Sequence, residues 1–132
     1  MELQLWKDRE KKSLDHELFS TKAERFAIIT SQDAKDSKDK LNKGTQLRKF
    51  YDEILRLNLL AQADRENWDM ILPQVHMIIA KAAYAKGRKL ISKNFLDHLR
   101  QGIQQIKSID DLRVFTNYME AFMGFYKMYN DK

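Results

Sequence analysis

The last third of the chain carries its most regular hydrophobic pattern. Leu112, Phe115, Met119, Phe122, Tyr126 and Tyr129 recur at intervals of 3, 4, 3, 4 and 3 residues, which keeps all six on one stripe of an α-helix. A helix is therefore predicted from Asp110, with this seam packed against other helices. A second is predicted from Thr45. Leu47, Phe50, Tyr51, Ile54 and Leu57 follow the helical period there, and Arg48, Lys49, Asp52, Glu53 and Arg56 fill the other positions. After a polar break from Asp64 to Asp69, Pro73 suits the first turn of a third helix that runs to about Gly87, with Val75, Ile78, Ile79 and Ala82 as its buried face. Ser92 suits the N-cap of a fourth, which carries Phe95, Leu96, Leu99, Ile103 and Ile106.

Towards the N-terminus the pattern weakens. Thr21 and Glu24 have capping-box spacing and predict a helix from Thr21 to Thr30, with Phe26 and Ile29 as its apolar contacts. Leu14, Leu18 and Phe19 would extend it backwards, and residues 1–20 form a candidate mobile segment. Residues 31–43 alternate acids and lysines with almost no apolar content, which predicts an exposed loop. The expected fold is all-α: a compact bundle of about five helices forming a single domain over residues 1–132, without internal repeats or strands.

Composition agrees with this picture. At 43% hydrophobic and 33% charged residues, with four glycines and one proline, long helices are favoured over a loop-rich β architecture. The absence of cysteine removes disulfides and thiolate chemistry and fits a reducing compartment. No basic segment followed by an apolar run opens the sequence, so a cytoplasmic location without membrane attachment is expected.

The net charge of +5 is unevenly placed. Between Val75 and Lys107 stand Lys81, Lys86, Arg88, Lys89, Lys93, Arg100 and Lys107 against the single acid Asp97, a net of +6. That concentration points to a polyanion-facing surface. At 100° per residue, Met77, Lys81, Tyr84 and Arg88 share one sector of the third helix, opposite Val75 and Ala82. Cations there can neutralise phosphates and a tyrosine ring can stack on a base without selecting sequence; the alternative is a solvated face with Tyr84 lying under lysine stems. The second helix alone favours local charge pairing, since Arg48–Asp52, Lys49–Glu53 and Asp52–Arg56 are i,i+4 neighbours.

Catalytic chemistry finds little support. His16, His76 and His98 lie in separate segments without paired ligand spacing, so no metal or cofactor is expected. The isolated glycines build no phosphate-cradling loop. Asp110 and Asp111 read as carboxylates offsetting a helix dipole rather than as an acid pair.

Three stretches, KGTQLRKFYDEIL (Lys43 to Leu55), AAYAKGRKL (Ala82 to Leu90) and YMEAFMGFYKMY (Tyr118 to Tyr129), in this order resemble the small subunit of type III-A CRISPR (Csm) effector complexes. The similarity runs from about Ala23 to the C-terminus. It implies a five-helix, non-catalytic protein, stacked in several copies along CRISPR RNA and target RNA beside the backbone and large subunits, without a small-molecule substrate. It also implies phosphate contacts for Arg48, Lys49 and Arg88. With Lys43, Lys81, Tyr84 and Lys89 these make up the candidate RNA-binding set. The family often has a hydroxyl-rich run before Q-L-R, where this chain has Asn42, Lys43 and Gly44. Two other readings stay open: a helical protein–protein adaptor that recruits a partner through an exposed apolar seam with no RNA contact, and, more weakly, a DNA-binding regulator.

Overall fold

A computed structural model describes residues 1–130. It contains five α-helices: α1 (Ala23–Asp36), α2 (Gly44–Ala63), α3 (Trp68–Gly87), α4 (Lys93–Gln104) and α5 (Ile109–Tyr129). No strand forms among the described residues, only an isolated antiparallel bridge between Asp8 and Ser13. The all-α expectation holds. Helix α5 packs against α1 and α2, and α3 packs against α2 and α4.

The seam of α5 is the centre of the core. Leu112, Phe115, Met119 and Phe122 are fully buried, as is Tyr118 beside them. The Phe122 ring lies 4.4 Å from Phe26 of α1 and 5.5 Å from Tyr126, with Phe95 of α4 at 5.9 Å. Rings from three helices thus meet in offset and tilted pairs, the favoured arrangement for aromatic packing. The Phe115 ring of α5 lies so close over Gly102 of α4 that a Cβ there would stand 2.1 Å from its Cε1, so any side chain at position 102 would displace that ring.

Caps explain where two helices begin. Ser92 Oγ accepts from the Phe95 amide at the start of α4, as its sequence predicts. At α5 the cap is Ser108, which forms a full capping box with Asp111. Asp111 does more than offset a dipole. It is 1% exposed and accepts from the Trp6 indole at 2.7 Å, from Arg9 at 2.8 Å and from the Lys107 amide at 2.8 Å. Burial works against its charge, but these bonds more than offset burial, and its pKa is lowered.

Four expectations need correction. Residues 1–20 are tied down: Leu3 and Leu5 are buried, and their amides donate to the side chains of Gln101 and Gln105 at 2.8 and 2.9 Å. Two alternating leucines are too short a pattern to register as core. Thr21 caps nothing; its hydroxyl donates to Glu17, and a π-helical turn at Leu18–Lys22 runs straight into α1. Residues 31–43 are not one exposed loop, because α1 continues to Asp36 and Ser31, Ala34 and Asn42 are buried. Those buried positions are small or polar, which hydropathy does not detect. Finally, α3 starts at Trp68, after a 3₁₀ turn at Arg65–Asn67, so Pro73 lies inside the helix. It stands on the exposed side together with Asp69, so water can satisfy the carbonyl it leaves unbonded.

Asn42 shows why the chain turns where it does. Its φ of 58° is left-handed, a conformation asparagine tolerates better than most residues. Its side chain donates to the Thr30 carbonyl and Ser92 Oγ and accepts from the Ser92 amide at 2.9 Å, and its own carbonyl accepts from the Tyr126 hydroxyl. One buried asparagine therefore ties α1, the start of α4 and the end of α5 together.

His98 is 2% exposed, with Nε2 2.8 Å from the Tyr118 hydroxyl. Burial holds its pKa down to about 3. An unfolded histidine titrates near 6.5 and so binds the proton that the folded one refuses. Stability should be fully present above about pH 6.5 and fall below it by roughly 1 kcal/mol per pH unit. Urea midpoints measured between neutral and mildly acidic pH check this, and the slope should flatten in His98→Gln.

Candidate nucleic-acid interface

Helix α3 presents a continuous exposed stripe. Met70, Met77 and Tyr84 are 67, 55 and 68% exposed, seven residues apart. Gln74, Lys81 and Arg88 interleave with them at the same spacing and are also exposed. The stripe is apolar at its N-terminal end and basic at its C-terminal end. There the Arg88 guanidinium lies over the Tyr84 ring, 5.9 Å from its centroid, within cation–π range.

Packing of α2 against α3 turns the basic end into a groove of about 380 Å³, lined among others by Lys49, Phe50, Lys81, Tyr84 and Leu90. Two cations and an exposed ring from two consecutive helices thus face one open channel. Lys81 is partly engaged, with Nζ 3.6 Å from Glu53. Glu53 also takes Arg56 at 2.8 and 3.0 Å, and that pairing is the leading cause of its lowered pKa.

This geometry corrects the charge pairing predicted for α2. Glu53 pairs with Arg56 at i,i+3 and with Lys81 of α3 instead of with Lys49, and no carboxylate of the described residues lies within 4.0 Å of Arg48 or Lys49. Both are exposed and carry uncompensated charge.

The remaining candidates do not share the groove. Arg48 faces the α5 side, in a shallow site lined by Thr45, Met123, Tyr126 and Lys127. Lys43 is the exposed residue preceding α2, beside Leu41 and Thr45. Lys89 lines a different groove with Lys40, Lys86 and Lys93. Those last three are not among the candidates that the sequence marks, although Lys86 and Lys93 belong to the basic segment whose charge excess is visible there.

Lys89 is also conformationally unusual. Helix α3 ends in a Schellman motif, with the Leu90 amide on the Ala85 carbonyl and the Lys89 amide on that of Lys86, both at 2.9 Å. The left-handed position, where glycine is usual, is occupied by Lys89 at φ 61°. Gly87, two residues earlier, does not serve as the cap. A lysine held where glycine is favoured is a local strain of about 1 kcal/mol, and such strain tends to persist at functional positions. Lys89→Gly should therefore raise stability by about 1 kcal/mol in chemical denaturation while removing one cation from the surface.

Among the described residues no group of three or more His, Cys, Asp or Glu side chains is placed to hold a metal, and among the same residues no helix is long and apolar enough to cross a membrane.

A family model described as Csm2 Type III-A matches residues 19–132. The chain is also 26% identical over 121 residues to the protein "CRISPR system Cms protein Csm2" of Streptococcus thermophilus, covering 90% of this chain and 97% of that protein. No solved structure shows a significant match.

Proposed function

This chain belongs to the Csm2 Type III-A family, and from that membership we propose that it is a non-catalytic, RNA-binding small subunit of a type III-A CRISPR effector complex. Membership carries the coarser part, a subunit assembled with other Csm proteins. The finer part, contact with CRISPR RNA and target RNA, rests on one observation: Lys49, Lys81 and Tyr84 converge from α2 and α3 on an open groove next to Arg88.

Such a groove suits backbone recognition. Lysine ammonium groups neutralise phosphates, and a 68% exposed tyrosine offers a stacking face that every base can use. Guide systems leave sequence to base pairing and require of their proteins only shape and charge. Weak contacts of this kind become tight holding when several copies lie along one strand. Met70 and Met77, at the apolar end of the α3 stripe, give the same face a surface suited to protein neighbours within the assembly.

The adaptor reading loses its main support. It relied on the apolar seam of α5, and that seam is buried against α1, α2 and α4.

The test is single-stranded RNA affinity of the purified chain and of the reconstituted complex across salt concentrations. Log affinity should fall steeply and linearly with log salt, by about 0.7 for each phosphate contacted, and be the same for unrelated sequences. Affinity that tracks base sequence, or that is flat in salt, would overturn the proposal.

A further inference from the structure

We infer that the RNA-holding surface continues past the end of α3 into a second groove, where Lys40, Lys86 and Lys93 hold further phosphates of the same single strand. This rests on the RNA-binding reading above and extends it to residues outside the α2–α3 groove.

The second groove, of about 770 Å³, lies between the end of α1 and the α3–α4 connection. Leu41 and Ile91 give it an apolar lining, and Lys40, Lys86, Lys89 and Lys93 surround it. Two carboxylates also line it, but both are held by amides: Asn94 donates to Asp33 at 3.0 Å and Gln32 to Asp36 at 2.9 Å. Four lysines against two engaged acids leave a surface that attracts anions. Lys93 pairs with Asp97 at 2.6 Å, an exposed i,i+4 contact of the weak kind that a phosphate can displace.

The two grooves meet at the turn that ends α3. Leu90 lines the first, while Lys89 and Ile91 on either side of it line the second. A strand lying along Lys49, Lys81 and Tyr84 passes Glu53, whose carboxylate is paired with Arg56 and Lys81, and then reaches Arg88 and this turn. Lys89, one of three left-handed lysines among the described residues, falls at the junction. Glycine would relieve the backbone there but would break the line of positive charge. An open, lysine-edged channel with the half-buried Leu41 in its wall suits a single strand, whose bases rest on that apolar patch while its phosphates meet the lysines.

The experiment uses the full chain and fluorescent oligouridylates of about five and about fifteen nucleotides, spanning the usual site sizes of single-strand binders. One variant carries Lys40→Gln, Lys86→Gln and Lys93→Gln, which keeps side-chain length and removes charge; the other carries Lys49→Gln and Lys81→Gln. Circular dichroism confirms helicity. On the long RNA the first variant should lower the salt slope by about 2, three contacts at roughly 0.7 each. On the short RNA, which fills the α2–α3 groove, it should change little. The second variant should weaken both RNAs. If the first variant leaves the long RNA unchanged while the second weakens it, the track ends at α3 and the inference falls, with the RNA-binding reading intact. If neither variant matters, the RNA-binding reading itself falls. An equal loss on both lengths would mark a general charge effect and overturn the track. So would an oligoglutamate peptide that binds the second groove when RNA does not, which would assign it to an acidic protein segment.

Discussion

Replacing Phe122 with alanine is expected to destabilise the domain by about 3 to 5 kcal/mol, the range for truncating a fully buried phenylalanine. Phe122 is 0% exposed and its ring stands among Phe26, Phe95 and Tyr126. Truncation therefore removes transfer free energy and also leaves a cavity that three helices would have to close. Collapse is hindered on every side, because the neighbouring rings are themselves fixed, Phe26 at 3.7 Å from His98 and Tyr126 on the Asn42 carbonyl. A cost near the upper end is expected, read as a lower urea midpoint at unchanged slope. A loss below about 1 kcal/mol would mean that the α5 seam is not the core described above.

Charge reversal at Arg48, Lys49 and Arg88 together, each to glutamate, should leave the fold intact and greatly weaken RNA binding in the assembled complex. All three side chains are exposed, and none has a carboxylate within 4.0 Å among the described residues, so reversal breaks no ion pair. Three lost phosphate contacts lower the slope of log affinity against log salt by about 2, at roughly 0.7 each, before any added repulsion. The loss should be equal on unrelated guide and target pairs, because a backbone contact carries no sequence information. Target-RNA affinity at several salt concentrations measures it, with gel filtration to confirm assembly. Arg48 faces the α5 side and Lys49 the groove, so the single variants separate the two surfaces. Wild-type affinity and slope in an intact complex would show that these cations do not hold RNA.

Helices α2, α4 and α5 were legible in the sequence because their buried positions are large and apolar and recur at the helical period. Leu47, Ile54, Leu57, Phe95, Leu99, Phe115 and Phe122, all expected in the core, are all buried. The missed parts are held by other means. Leu3 and Leu5 are fixed by glutamine side chains about a hundred residues away, and the turn after α1 by the amide of Asn42. Neither leaves a periodic trace. Of the candidate site, the α3 stripe followed from angular spacing alone, since Lys81, Tyr84 and Arg88 need only one helix to align. Its union with Lys49 required knowing that α2 and α3 are neighbours. The same gap explains the mispairing of Glu53, whose second partner, Lys81, belongs to the other helix. Lys40 could not be linked to Lys86 and Lys93 for this reason too.

The long reach of the N-terminal contacts bears on how the molecule is made. Leu3, Leu5 and Trp6 find their partners 98, 100 and 105 residues later, and none of those partners exists while only the first half of the chain has left the ribosome. Synthesis proceeds from the N-terminus, and contacts of such sequence separation close slowly. Residues 3–6 therefore dock only after α4 and the start of α5 have been made. During that interval Leu3 and Leu5 stay uncovered, an apolar surface open to other chains.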